Sequence, residues 1–438
     1  MIIAKFGGTS VSTPATIRTI CEIAKKEKPV LVVSAVAGVT NLLLSLPAAP
    51  AKERADILEK IHEIHETLIN GCFSTEIREQ ILAYVDNQLS EVLKIVKKGK
   101  NDKETLDLIA SYGELMSSYI IAYALNEFDV SARQILATNL IVTNDNFGSA
   151  EFLPTPTKLR TQKSLLPLLN KGIVPVVTGF IAKTQRGKTT TLGRGGSDYT
   201  ASILGFCLGA SEIQIWTDVD GIFTADPRII KDVRLIKTIS FKEASELATF
   251  GARVLHPRTI KPAIKAGIPV RVLNTFNPNG DGTLIVARPQ LAHPPRAVAF
   301  QKNITLVNIS SEEMLLQKGF LARVFEIFAR HGISVDLVSV SEVSVSLTLD
   351  NENMLQKVVE ELKKFSSVSV ERDLGVISMI GENIARSPRV MRDIFEGLQR
   401  KKIKVRMVSL GATDINISLV IDADQIADAV KTLHGILV

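Results

Sequence analysis

Twice within the first 41 residues, an apolar stretch of strand length breaks into a glycine-bearing loop and then into a helical pattern. This repetition constrains the fold more than any other feature of the chain. Met1–Phe6 (MIIAKF) runs into Gly7-Gly8-Thr9-Ser10-Val11. Thr13-Pro14 then opens a helix, with a capping hydroxyl and a proline at the first helical position, where a missing N–H costs nothing. Pro29–Ser34 (PVLVVS) runs into Ala35-Val36-Ala37-Gly38-Val39-Thr40-Asn41. Continuous apolar runs of this length suit parallel strands covered on both faces. Two such units in succession point to a doubly wound α/β sheet, whose ligands gather at the carboxyl ends of the strands. The first loop brings backbone N–H groups and a helix dipole to one point, and Lys5 adds a full positive charge, so it is a candidate anion site.

A chain of 438 residues is too long for one ordinary core, and two or three domains are expected. Aromatic residues make up only 5% and Trp216 is the single tryptophan, which argues against a carbohydrate or single-stranded nucleic-acid platform. The net charge of +6 is mild for this length and occurs without a basic run; it suits anionic small substrates rather than nucleic acid. Cys21, Cys72 and Cys207 are odd in number and widely spaced, which fits buried thiols in a reducing compartment rather than a disulfide frame or a zinc site. The start lacks a secretory pattern, and no uninterrupted apolar run reaches membrane length. A soluble cytoplasmic protein without a membrane partner is therefore expected.

Residues 51–127 are helical in pattern, with a polar break at Lys97–Asn101. Within the last of these helices, Ser111-Tyr112-Gly113-Glu114-Leu115 places a glycine where alanine would be favoured by about 1 kcal/mol, so something approaches closely there. Glu114 reads equally well as a solvated helix charge or as a ligand. Strand patterns return at Val130–Leu136 and Gly172–Ile181. The densest stretch follows, Gly193-Arg194-Gly195-Gly196-Ser197-Asp198, ahead of a helix of small residues. Ser197 or Asp198 could simply cap that helix, but a cap does not explain three glycines flanking an arginine, and an anion-binding loop is the better reading. Glu212–Trp216 is a strand running into Thr217-Asp218-Val219-Asp220-Gly221-Ile222-Phe223, whose carboxylates lack the spacing of a calcium loop. Pro289–Arg296 reads as a linker. Beyond it, a helix–strand–turn–strand–helix pattern occurs twice at an offset of 70 residues: Phe325-Glu326 matches Phe395-Glu396, Arg330 matches Arg400, and Val338-Ser339 matches Val408-Ser409.

In order along the chain, KFGGTSV (5–11), SAVAGVTN (34–41), SYGELMSS (111–118), GRGGSDYTA (193–201), TDVDGIFTADPR (217–228) and VLHPRT (254–259) resemble the aspartate kinases of the amino-acid kinase fold. The resemblance covers essentially the whole chain. The C-terminal repeat is similar to the paired ACT modules of that family, and residues 319–350 resemble its lysine-inhibited, monofunctional branch. The implied architecture is α/β: an amino-acid kinase domain over 1–288, a carbamate-kinase-like three-layer sandwich. A regulatory region over 297–438 would follow, with two α+β ferredoxin-like ACT modules at about 306–372 and 373–438 and with 297–305 open to either.

The implied reaction is transfer of the terminal phosphoryl group of ATP, with Mg²⁺, to the side-chain carboxylate of L-aspartate, giving 4-phospho-L-aspartate. This is the first step towards lysine or diaminopimelate, threonine and methionine, and lysine would act as feedback inhibitor. The resemblance gives Lys5 the transferred phosphate and Asp198 the orientation of that lysine. It gives Arg194 a substrate carboxylate, with Ser34, Thr40, Gly195, Gly196 and Ser197 alongside, and Glu114 the substrate ammonium. Lys5, Gly7, Gly8, Thr9, Ser10, Thr217, Asp218, Phe223, Arg228, Arg253 and Val254 fall where the family holds the nucleotide. Phe223 stands where many relatives have Tyr, and Arg253 where some have Lys.

Ser334, Asp336 and Glu342 of the first repeat correspond to Lys404, Arg406 and Ala412 of the second. A cationic effector would thus be drawn to the first module and repelled by the second. The implied lysine site comprises Met314, Phe320, Leu321, Ser334, Val335, Asp336, Ser341, Glu342 and Val343. A homodimer formed through the ACT modules is expected, with no nucleic-acid partner. Two rivals are a glutamate or acetylglutamate kinase of the same fold and an amino-acid sensor with a dead kinase domain. The paired modules and the SYGE motif speak against the first, and the intact Lys5, Glu114, Arg194 and Asp198 against the second.

Overall fold

The first unit is built on the strands Ile2–Phe6 (β1), Val30–Val33 (β2), Ala132–Ile135 (β3), Val142–Thr143 (β4), Val174–Thr178 (β5), Ile181–Thr184 (β6), Thr189–Thr191 (β7), Glu212–Thr217 (β8), Thr238–Ser240 (β9), Val270–Asn274 (β10) and Thr283–Val286 (β11). Its helices are Pro14–Glu27 (α1), Val39–Ser45 (α2), Ala51–Cys72 (α3), Thr75–Lys97 (α4), Lys103–Glu127 (α5), Pro154–Asn170 (α6) and Gly196–Leu208 (α7), joined later by Lys261–Ala266. This is a computed structural model, and it describes residues 1–251, 255–289, 297–315, 318–410 and 414–437.

Eight strands form one sheet in the order β3-β5-β2-β1-β8-β10-β11-β9. Pairing is parallel from β3 through β10, and β11 is antiparallel to β10. The two apolar runs at the N-terminus are thus central strands. Ala4, Phe6, Leu31 and Val33 face the cluster formed with α1 to α5, while Ile3, Val30 and Val32 are equally buried on the other face. That burial on both faces is what an unbroken apolar run predicts. The chain goes from β1 to β2 on one side and later returns to β8 on the other. The carboxyl end of β1 therefore lies at the switch point where α/β sheets bind ligands. A small second sheet, β4-β6-β7, carries the chain towards residue 193.

Local sequence explains the helix starts. Thr13 caps α1 through a reciprocal box with Thr16, and Pro14 occupies the first turn, as the sequence predicts. At α7 the capping alternative is excluded. The capping position is Gly195, held at φ +68° with no side-chain cap, and Ser197 and Asp198 lie inside the first turn. By length and composition α5 could cross a bilayer, but 72% of its most apolar window is buried inside the protein. It is the core helix of the unit. Gly113 on α5 lets it close on the loop after β2, since a Cβ there would lie 2.7 Å from the Ala35 Cβ. The three cysteines are free, and burial pushes their thiols up to about 12 for Cys21 and about 11 for Cys72 and Cys207, so they are poor nucleophiles.

The second unit is centred on a six-stranded sheet. Its strands are Ala297–Ser310 (β12), Val338–Val340 (β13), Ser344–Leu349 (β14), Ser367–Ile380 (β15), Val405–Leu410 (β16) and Asn416–Asp422 (β17), in the order β13-β14-β12-β15-β17-β16. Phe320–Arg330 and Leu355–Leu362 pack on one half, and Pro388–Arg400 and Ile426–Leu437 on the other, in two separate cores. The 70-residue repeat is thus real in space. Both β12 and β15 run through the two halves: Ala297–Lys302 pair with the Gly375–Ile380 end of β15, and Leu306–Ser310 with its Ser367–Glu371 end.

The units do not divide at the proline-rich stretch alone. Phe223–Ile236 and the described part of 242–253 belong with the second unit, whereas Lys237–Phe241 belongs with the first. Ala225, Ile229, Ile230 and Val233 join the apolar core under Ile426–Leu437, and Thr224 Oγ1 is 2.9 Å from His434 Nε2. Asn416 donates to Glu246, and the Glu382 amide to Glu243.

Gly113→Ala provides a test of the α5 packing. Alanine adds about 1 kcal/mol of helix propensity, but overpacking against Ala35 costs roughly 1–3 kcal/mol. The substitution should therefore leave stability unchanged or lowered, read as an unmoved or falling urea midpoint at constant m-value.

Candidate active site

Lys5 is the penultimate residue of β1, paired in register with Val32 of β2 and Ile215 of β8. A side chain on a central strand has little freedom, and this one points to the first turn of α7. Its Nζ lies 2.7 Å from Asp198 Oδ1, and the two side chains are only 11% and 12% exposed. In so sheltered a pair each charge holds the other in place. Gly8 is required for the same geometry. A Cβ on it would stand 2.9 Å from the Ala35 carbonyl oxygen, so only glycine lets the loops after β1 and β2 meet. The Gly8 carbonyl accepts from the Val11 and Ala37 amides at 3.3 Å each.

Around this pair opens a cleft of about 810 Å³ lined by Lys5, Gly8, Ser34, Thr40, Glu114, Arg194, Gly195, Gly196, Ser197 and Asp198. The structure thus brings together every residue that the sequence assigned to catalysis or to the amino-acid substrate. On one side stands the N-terminus of α7, without a side-chain cap, a helix end suited to an anion. Gly193 and Gly195 take φ of +78° and +68°, and they carry exposed Arg194 between them. Arg194 makes no ion pair among the described residues, and its charge lowers the pKa of nearby His256 after burial has done so. Phe180, another cleft residue, holds φ +65°, a strained conformation for an aromatic side chain.

Glu114 decides between the two readings left open by sequence. It is 3% exposed, its Oε1 accepts the Ala35 amide at 3.2 Å, and its buried Oε2 has no partner. Burial pushes its carboxyl from the ordinary range up to about 8. A buried acceptor left unmatched beside a cleft fits a cationic ligand group and excludes a solvated helix charge. The site therefore has a cation at one end, an arginine and an open helix N-terminus alongside, and a carboxyl at another. It can hold an amino acid by both of its charged groups while a phosphate sits near Lys5.

The residues assigned to nucleotide fall in several places. Gly7 donates its N–H to the Trp216 carbonyl at 3.1 Å, so Gly8 is the nearer amide to the cleft. Ser10 is fully buried, its hydroxyl 3.3 Å from the Trp216 carbonyl oxygen and 2.7 Å from Thr275 Oγ1. It anchors the loop and is not placed to touch a ligand through its side chain, a correction to the sequence reading. Thr9, Thr217 and Asp218 are accessible at the carboxyl ends of β1 and β8. Phe223 and Arg228 lie in the second unit, and the Arg228 guanidinium is held by Asp226 at 2.6 Å. Arg253 and Val254 lie outside the described residues.

The structure also divides the effector residues. Met314, Phe320 and Leu321 belong to the end of the first module that holds the turn Ser341–Val343, where the Ser311 amide donates to the Val343 carbonyl. Phe320 itself is core, 5% exposed and edge-on to Phe365. Asp336 sits at the other end of the β13–β14 hairpin, its amide bonded to the Thr348 carbonyl, whereas Ser341 bonds to Ser344. Four residues lie between Asp336 and Ser341, so the two stand at opposite ends of the hairpin. Asp336 is exposed by surface area, yet enough protein surrounds its carboxyl for burial, and then the charge of Asp350, to push it up to about 6. Asp350 was not picked out from sequence, nor were Lys103, Asp107 and Phe147–Ser149 of the cleft wall. For Asp107 a signal existed: it lies seven residues before Glu114, on the same face of α5.

The sequence matches the amino acid kinase family over residues 1–274 and the ACT domain over 307–364 and 377–437. It is 38% identical to the lysine-sensitive aspartokinase 3 of Escherichia coli over 99% of this chain and 98% of that protein. The chain belongs to the aspartokinases of the amino acid kinase family. Among solved structures it resembles E. coli aspartokinase III in complex with aspartate and ADP, described as the R-state, with a TM-score of 0.87 and 36% identity over 100% and 99% of the two chains. The same enzyme with lysine and aspartate, the T-state, gives 0.85 and 37% over the same shares.

The raised Glu114 carboxyl makes a pH prediction. Below about pH 8 the free enzyme holds a proton there, which a cationic group bound at Glu114 would have to expel. KM for the amino-acid substrate should fall as pH rises from 6 to 8 and then level, and Glu114→Gln should flatten the profile. Because the folded pKa lies above the unfolded one, the charged group costs stability from about pH 4.5 upwards, fully above about 8. Glu114→Gln should therefore melt higher than wild type at pH 9, with a smaller gain at pH 6.

Proposed function

We propose that this chain transfers the terminal phosphoryl group of ATP to the side-chain carboxylate of L-aspartate, forming 4-phospho-L-aspartate and ADP, with lysine as inhibitor. The observation that carries the reading is the sheltered Lys5–Asp198 pair, set in one cleft with the unmatched Glu114 oxygen. The carboxylate nucleophile is already ionised at neutral pH, so no general base is needed. What remains is to place it in line with the phosphate and to offset the charge on the transferring oxygens. Lys5 supplies that charge, and Asp198 holds its ammonium at the carboxyl end of β1. Arg194 takes a carboxylate of the substrate through its planar fork, with Ser34, Thr40 and Ser197 as hydroxyl partners, and Glu114 takes the ammonium. Thr217 and Asp218 would contact the nucleotide at the end of β8.

Magnesium would arrive on the ATP phosphates and neutralise part of their charge. Among the described residues no group of three His, Cys, Asp or Glu side chains is gathered to hold an ion. A hydrated Mg²⁺ carried mainly by phosphate, with one or two carboxylates at most, fits such a site.

Inhibition is read from the second unit. Asp336 and Asp350 draw a cation to the first module, whereas the counterpart Arg406 in the second is itself cationic and already paired with Asp422 at 3.0 Å and Glu371 at 3.3 Å. The two ends of the hairpin would share one lysine if first modules of two chains paired. The edge strand β13 favours such pairing, with Val338 and Val340 exposed. The three free thiols are in keeping with a cytoplasmic enzyme, one that opens the route to lysine, threonine and methionine.

An ATP-dependent hydroxamate assay tests the reaction. Aspartate should be phosphorylated well above glutamate, and Lys5→Ala should lose roughly 10²–10³-fold in kcat while its circular dichroism stays native. Normal turnover in that variant would remove Lys5 from the mechanism. Asp336→Ala and Glu342→Ala should each raise the lysine concentration needed for half-inhibition by about tenfold or more. Unaltered inhibition in the double variant would place lysine elsewhere.

A further inference from the structure

The chemistry above makes no use of Asp107, although it is a carboxylate of the cleft wall and only 3% exposed. Its hydrogen bonds reach two separate segments. Oδ2 accepts the Gly148 amide at 2.9 Å and the Thr191 amide at 2.8 Å, and Oδ1 accepts the Thr191 hydroxyl at 2.7 Å. Thr191 ends β7, and the chain continues through Leu192 and Gly193 to Arg194. Gly193 in turn rests on the turn that Asp107 holds: a Cβ on it would lie 3.2 Å from the Gly148 carbonyl oxygen and 3.3 Å from the Ser149 Cα. The Ala150 amide closes the set by donating to the Thr191 carbonyl at 2.9 Å. One buried carboxylate thus fixes α5, the turn at Gly148 and the strand that delivers the arginine loop.

We propose that Asp107 is a positioning residue that seats the Arg194 loop for the carboxylate end of the amino-acid substrate. The inference rests on the assignment of Arg194 to that carboxylate. Burial raises the Asp107 pKa, and the three donors oppose that shift, so the group is costly to bury and is held by the bonds it makes. None of those bonds touches Lys5, Gly8 or the end of β8, so the effect should fall on the amino acid and spare the nucleotide.

Steady-state kinetics on full-length Asp107→Ala, Asp107→Asn and Arg194→Ala test this. Asp107→Ala should raise KM for aspartate by about tenfold or more, with KM for ATP within about twofold of wild type. Asp107→Asn should recover to within about threefold. Its amide oxygen can accept both backbone N–H groups, and the Thr191 hydroxyl can turn to accept from its NH₂. Equal rises in both KM values, or a loss confined to kcat, would overturn the proposal. So would an Asn variant no better than Ala. If Arg194→Ala raises KM for aspartate and Asp107→Ala does not, this inference alone falls. If Arg194→Ala leaves that KM unchanged, the reading of Arg194 falls with it. Should Asp107→Ala not fold, Thr191→Val removes the hydroxyl bond only, and an unchanged KM for aspartate there would likewise overturn the proposal.

Discussion

The ion pair between Lys5 and Asp198 is the constraint around which the catalytic unit is arranged. Withdrawing two charges from water is expensive, and a pair of apolar residues could fill the same space at least as stably. The pair persists because the sheet forces it: Lys5 comes from a central strand, Asp198 from the first turn of the helix that covers it. Gly8, Gly179 and Gly195 remove the side chains that would keep these segments apart. A Cβ on Gly179, for example, would collide with the Ser197 hydroxyl at 2.5 Å and with the Val33 carbonyl at 2.9 Å. Glycine serves here mainly to let loops touch.

The helix α5 has two roles that pull in opposite directions. It is the apolar spine of the unit, and it carries two buried carboxylates on one face. Asp107 is fully matched by protein donors, whereas Glu114 is left with an unmatched oxygen. The first fixes its surroundings, and the second lines the cleft with an oxygen that no protein donor meets. A mismatch of that kind lowers the stability of the free enzyme and strengthens its hold on a cation, a familiar exchange of stability for function.

Much of this was legible in the sequence. The central strands announced themselves because burial on both faces demands unbroken apolar runs, and Thr13-Pro14 marked its helix because capping is a local interaction. The cleft residues were found through motifs read in order. What escaped was non-local. The partners of Asp107 are 41 and 84 residues away, and no local pattern pairs them. The capping alternative for Ser197 and Asp198 arose because cap preference is a statement about side chains, whereas this helix starts at a left-handed glycine. Ser10 sits inside a ligand-like motif yet spends its hydroxyl on Thr275, which only the order of strands β1, β8 and β10 brings near.

The placement of Phe223–Ile236 has a consequence for how the molecule is made. The chain enters the second unit for that segment, returns to the first, and enters again before the C-terminal modules are reached. Ala225, Ile229, Ile230 and Val233 find apolar neighbours in the helix Ile426–Leu437. During synthesis these side chains leave the ribosome long before their partners exist. The early part of the chain can assemble its parallel sheet, but this segment must wait for residues 426–437. The second core is thus complete only once residues 426–437 have been made, and until then the apolar side chains of Phe223–Ile236 lack those neighbours.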